Sequence, residues 1–282
     1  MNALTAIIIA VSAWWISTGL VIMVVRGFGG RSVALMISSI VALFGLALLW
    51  DARHETTQLA IYKGFFGALA LWAWHEVSFL TGLIVGPRRV GIAPEIEGAE
   101  RFYKAFLAVR DHELALFGTG LLLVIVFAGY ANPAGWLTYM LLWAMRLSTK
   151  LNVFLGAPNA VSEILPKHLS YLTSYFRTDR THSIFIISAA LATMLMTIFA
   201  FNAAHAIGGQ AVLWTLLATF AALALLEHLF LVLPVRDAAL WWWAVAEGER
   251  ATGATQIKKK EQQETVKPVR FTDIGHMARV KP

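Results

Sequence analysis

No cysteine occurs among the 282 residues, and only 14% of them are charged. The first absence excludes disulfides, thiolate catalysis, iron–sulfur clusters and cysteine zinc sites within the chain. The second, set beside 58% hydrophobic residues and a mean hydropathy of +0.66, excludes an ordinary soluble domain of this size. Catalytic signatures are missing as well: there is no phosphate-binding Walker loop, dinucleotide fingerprint, Gly-x-Ser-x-Gly elbow, His-Glu-x-x-His zinc motif or prenyl-diphosphate Asp motif. The first apolar run is followed, not preceded, by its basic residue, Arg26, the reverse of a secretory signal. It is expected to persist as a helix.

What is present is a series of long apolar windows. A helix crosses a hydrocarbon core of about 30 Å with about 20 residues. Seven stretches approach or exceed that length, at about 3 to 25, 33 to 50, 59 to 85, 112 to 131, 135 to 156, 183 to 205 and 211 to 233. The expected fold is all-α, a polytopic transmembrane bundle of about seven spans. Helices satisfy their own backbone groups in lipid, which open sheets cannot do.

The formal net charge of +6 is arranged by topology rather than for nucleic acid. With the amino terminus periplasmic and the carboxyl terminus cytoplasmic, 21 of the 23 Lys and Arg residues lie inside and only Arg53 and Lys63 outside. Membrane lipids, including anionic ones, are thus expected neighbours. The outer connections near Asn132-Pro133 and Gly208-Gly209 are short, and the inner ones are long. Residues 87 to 111 carry a helical pattern from Arg101 to Phe106 that runs into the fourth span. Leu165, Leu169, Leu172 and Phe176, spaced by four, three and four, mark an amphipathic interfacial helix. The run Trp241-Trp242-Trp243 suits the headgroup region. Residues 1 to 248 form the expected bundle, and 249 to 282, rich in lysine and glutamine, the expected flexible cytoplasmic tail.

Ionisable residues within apolar spans normally face a bundle interior or a wet cavity. Three adjacent pairs, His75-Glu76, His112-Glu113 and Glu227-His228, join Arg146, Lys150 and Asn152 at the inner half of the spans. Arg146 and Lys150 are four apart and share a helix face. The expectation is a polar core of Glu76, His112, Glu113, Arg146, Lys150, Asn152 and Glu227 in which the charges pair. Metal chelation is disfavoured, because no Glu-x-x-His occurs and adjacent residues point about 100° apart on a helix. A lone histidine in an apolar setting can instead ligate a tetrapyrrole metal. His75, flanked by Trp72, Trp74 and Phe79, and His228 are the candidates. A hydrogen-bonded interior histidine is the alternative for both.

Three segments carry a family resemblance: Trp72 to Arg89 (WAWHEVSFLTGLIVGPRR), Leu141 to Asn159 (LLWAMRLSTKLNVFLGAPN) and Leu165 to Arg177 (LPKHLSYLTSYFR). They resemble the PuhE family of photosynthetic complex assembly proteins of purple bacteria. The resemblance implies a multi-pass protein of the bacterial inner, intracytoplasmic membrane. Its implied partners are reaction-centre or light-harvesting subunits and other assembly factors, and it implies handling of bacteriochlorophyll or a related tetrapyrrole, or modulation of its supply. It supplies no catalytic residue. His112, Glu113, Glu227 and His228 lie outside the matching segments. A membrane enzyme of tetrapyrrole or lipid metabolism, and a proton-coupled transporter, are the alternative readings.

Overall fold

The computed structural model describes residues 3–27, 30–160, 165–234 and 240–245. The tail expected over 249 to 282 lies outside the described residues, which contain no strand. Seven long helices follow one another: α1 (Ala3–Gly27), α2 (Arg31–Ala52), α3 (Gln58–Leu80), α4 (Gly98–Phe127), α5 (Ala134–Leu155), α6 (Ile184–His205) and α7 (Gly208–Phe230). A 3₁₀ helix, η1 (Lys167–Tyr175), lies between α5 and α6. The protein is an all-helical membrane bundle. By length and apolarity alone α1, α2, α6 and α7 qualify to cross a membrane. The charged residues of the apolar windows are concentrated on α3, α4 and α5, which is why those three read as less apolar.

Large apolar side chains such as Ile8, Ile40, Leu43, Phe44, Ile186 and Phe201 stand exposed on α1, α2 and α6. An apolar surface of that extent needs lipid against it rather than water. Helix α3 is the axis of the bundle and packs against α1, α2, α4, α5 and α7. Small residues, Ala60, Gly64, Gly67 and Ala68, stand among its larger buried ones such as Ile61 and Phe65 and permit close approach on some faces. Where it crosses α2, a Cβ added to Gly67 would lie 2.8 Å from the Gly45 carbonyl oxygen and from Leu49 Cγ, so the two backbones meet almost directly.

The ends of the bundle are built differently. At the end holding the α2–α3 and α4–α5 turns, Asn132 donates to the Ala52 and Ala60 carbonyls at 3.1 and 2.8 Å. Its Oδ1 accepts from the Ala134 N–H at 3.0 Å, closing the start of α5. The other end, here the basic end, carries the long connections. Helix α3 stops at Leu80, five residues short of the end of its apolar window. The reason is Gly82, whose φ of 75° belongs to glycine, and a turn in which Gly82 N–H returns to Phe79 O. The connection that follows returns to α4: Val85 O accepts from His112 N–H at 3.0 Å.

Helix α4 is 30 residues long and starts well before its apolar window. Its buried positions Arg101, Ala108, His112, Leu116, Gly120, Leu123 and Phe127 form one continuous stripe at helical spacing. The segment η1 buries Leu169, Leu172 and Tyr175, three apart, which is the eclipsed period of a 3₁₀ helix rather than the α-type spacing expected from Leu165 to Phe176.

Candidate functional site

A cavity of about 520 Å³ opens within the basic half of the bundle. Its walls come from α1, α3, α4, α5 and α7, with η1 and Trp241 adding to its basic end. Most of the lining is apolar. The charged residues on it are Glu76, Glu113, Arg146, Lys150 and Glu227.

Each of these five is joined to a residue on another helix, four of them in two ion pairs and Glu227 through Trp14. Arg146 Nη2 donates to Glu76 Oε2 at 3.3 Å, tying α5 to α3. Lys150 Nζ pairs with Glu113 Oε1, tying α5 to α4. Glu227 Oε1 accepts from the Trp14 indole N–H at 2.7 Å, tying α7 to α1. The i, i+4 spacing of Arg146 and Lys150 sets both cations on one face of α5, so they meet carboxylates from two different helices. Depth and rotation agree: each contributing helix turns its carboxylate to the same space.

The histidines of the three pairs turn away. None of His75, His112 and His228 lines the cavity, and each is buried. His75 Nε2 lies 3.0 Å from Thr119 Oγ1 on α4. His228 Nε2 lies 2.9 Å from Ser148 Oγ, and its Nδ1 lies 2.7 Å from the Ala224 carbonyl. His112 stacks obliquely on Phe79 with ring centroids 4.6 Å apart, and neither of its ring nitrogens has a partner among the described residues. Adjacent residues about 100° apart cannot both face one space, and here the carboxylate takes it each time. A tetrapyrrole metal at Nε2 of His75 or His228 would displace a hydroxyl partner already in place. The described residues hold no group of three His, Asp or Glu side chains suited to a metal ion.

The other predicted residues are placed as follows. Trp72 lines the cavity and meets Tyr139 edge-on at 5.5 Å. Trp74 faces α2 and donates its indole N–H to Ser39 Oγ at 3.1 Å. Asn152 is buried on α5 and donates to Ser188 Oγ at 2.8 Å and to Ser148 O at 2.9 Å. It thus belongs to a chain of hydroxyls with His228, since Ser148 also donates to Ser188 at 2.9 Å. This chain is distinct from the ion pairs.

Sequence reasoning missed Arg101. It counted there as one more basic residue at the interface, whereas it is 7% exposed. Its guanidinium donates to Phe154 O at 3.0 Å and Tyr175 O at 2.6 Å and lies 4.1 Å above the Phe154 ring. Burial, then Arg177 nearby, pulls its pKa below the ordinary arginine value. Arg101 clamps the end of α5 and the end of η1 to α4. The signal was available, because Arg101 falls seven residues before Ala108 on the same buried stripe.

Comparison with known proteins places this architecture in a family. Residues 1–252 match the family described as DUF3623, a protein family of unknown function, and the chain belongs to it. It is 32% identical over 253 residues to an uncharacterised 30.4 kDa protein of Rhodobacter capsulatus, found in the puhA 5′ region. That match spans 88% of this chain and 91% of the relative. No solved structure matches the chain.

Proposed function

We propose that the protein is a membrane factor for assembly of the photosynthetic reaction centre and its light-harvesting complex, as its resemblance to the PuhE family implies. The observation that supports this reading is the place of the Rhodobacter capsulatus relative, found in the puhA 5′ region. The absence of a catalytic motif from the sequence agrees with a binding or scaffolding role. In this reading the protein lies in the bacterial inner membrane, its basic end on the cytoplasmic side. It contacts reaction-centre or antenna subunits there, and handles bacteriochlorophyll or a precursor transiently.

The test is deletion of the corresponding gene in a photosynthetic bacterium, followed by whole-membrane absorption and growth in light. Loss of assembled reaction centre or antenna, restored by this chain, is the expected result. Unchanged spectra and growth would overturn the reading. Accumulation of one defined pigment precursor would instead favour an enzyme of tetrapyrrole metabolism.

A further inference from the structure

The ion pairs divide the cavity along its length. On α3, α5 and α7 the lining residues that precede Glu76, Arg146 and Glu227 lie toward the short-turn end, and none of them carries a charge, hydroxyl or amide. This deep end is walled by Leu69, Trp72, Leu141, Met145, Phe220 and Leu223. Phe220 and Leu141 are only 5% and 7% exposed, and with Met145 they pack into the same core as Phe65 and Leu216. Lipid around the bundle does not reach them. On the basic side of the charges the lining is largely apolar again, and Phe102 and Phe106 of α4 border it while standing 53% and 40% exposed. The cavity thus runs from an exposed aromatic edge at its basic end, past the paired charges, to an apolar end in the core.

Its proportions are those of a slot. The lining extends along α3 from Leu69 to Leu80 and along α5 from Leu141 to Phe154, which at 1.5 Å per residue is about 17 to 20 Å. About 520 Å³ spread over that length is too slender for a helix of about 10 Å diameter. Water suits the deep end poorly, because a buried water needs about 2 to 4 polar partners. Hydrocarbon suits it well, because aliphatic and aromatic walls gain dispersion contacts from an apolar chain laid against them.

We infer that the cavity is a binding site for one long hydrocarbon chain, acyl or isoprenoid, which enters past Phe102 and Phe106 and seats its free end beside Trp72 and Phe220. Midway it passes the methylene stems of Arg146 and Lys150, whose charged heads are engaged by Glu76 and Glu113. The site stands apart from the assembly role. Occupancy is read on the purified protein and assembly in cells, so either can fail alone.

The full chain in nanodiscs is photolabelled with palmityl alcohol carrying a diazirine at the chain end, and separately with palmityl alcohol carrying it beside the hydroxyl. Labelled residues are mapped by peptide mass spectrometry. The end-labelled probe should modify the deep end, at Leu69, Trp72, Leu141 or Phe220, and the other probe the basic end, at Phe102 or Phe106. Ala73→Phe on α3 and Ala105→Phe on α4 each fill the slot from one wall. Either, once shown folded by circular dichroism, should lower deep-end labelling about tenfold, while labelling of the exposed Ile40 and Phe44 stays unchanged. Unlabelled palmityl alcohol and a diterpene alcohol then compete for the deep end, and the stronger competitor tells an acyl from an isoprenoid source. Labelling confined to exposed residues, one pattern from both probes, no competition by either alcohol, or deep-end labelling unchanged in the folded variants would overturn the inference. The two probes need no variant and decide the matter if neither variant folds.

Discussion

The two ends of this bundle solve the same problem, holding helices together in lipid, by opposite means. At the end with the short turns, backbones approach until little fits between them: α2 and α3 cross at Gly45 and Gly67, and Asn132 fastens three backbone groups. At the basic end the helices stand apart around a cavity, joined by Arg146–Glu76, Lys150–Glu113 and Trp14–Glu227. Lipid gives apolar helices no hydrophobic reason to associate, so close packing of small residues is the economical way to hold a scaffold. Charges in that setting are unfavourable and are kept where something must be bound or moved. The contrast separates a close-packed scaffold end from a charged, open one.

Breaking the scaffold should have the largest effect. Gly67→Val places a branched side chain against the Gly45 carbonyl, where neither backbone can yield, and is expected to cost about 3 kcal/mol. Thermal scanning of the detergent-solubilised protein should show loss of the folded, monodisperse fraction. Arg146→Met comes next, at about 2 kcal/mol. That is below the roughly 3 to 5 of a fully enclosed pair, because Arg146 retains 39% exposure. Most of this loss should return in the double variant Glu76→Gln with Arg146→Met, since the damage is an unpaired carboxylate. A double variant no better than the single one would mean that Arg146 packs rather than pairs. Ser148→Ala, which leaves His228 without its hydroxyl, should cost about 1 kcal/mol in the same assay. Asp51→Asn, at the scaffold end, loosens only the exposed pair with Lys63 and should leave the transition where it was.

Much of the scaffold was legible in sequence. Each of the seven apolar windows overlaps one of the seven long helices, and four of those, α1, α2, α6 and α7, are long and apolar enough to cross a membrane. Helix ends were less legible. The apolar window from 59 to 85 continues through Leu83, Ile84 and Val85, but Gly82 turns the backbone first, and hydropathy carries no record of that. That the charged residues gather toward one end was legible, because it needs only residue counts at 1.5 Å per residue. Which member of each His/Glu pair faces the cavity was not, since that depends on helix rotation set by neighbours such as Thr119 and Ser148 from other helices. The separation between the ion pairs and the Asn152–Ser188–Ser148–His228 chain was hidden for the same reason.

The claim that the basic end does the work is tested most directly in a deletion strain carrying either this chain or its Ala105→Phe variant at equal membrane abundance. The membrane absorption of assembled photosynthetic complexes is the readout. The unaltered chain should restore that absorption and the cavity-filled variant should not. Full restoration by Ala105→Phe would contradict the account.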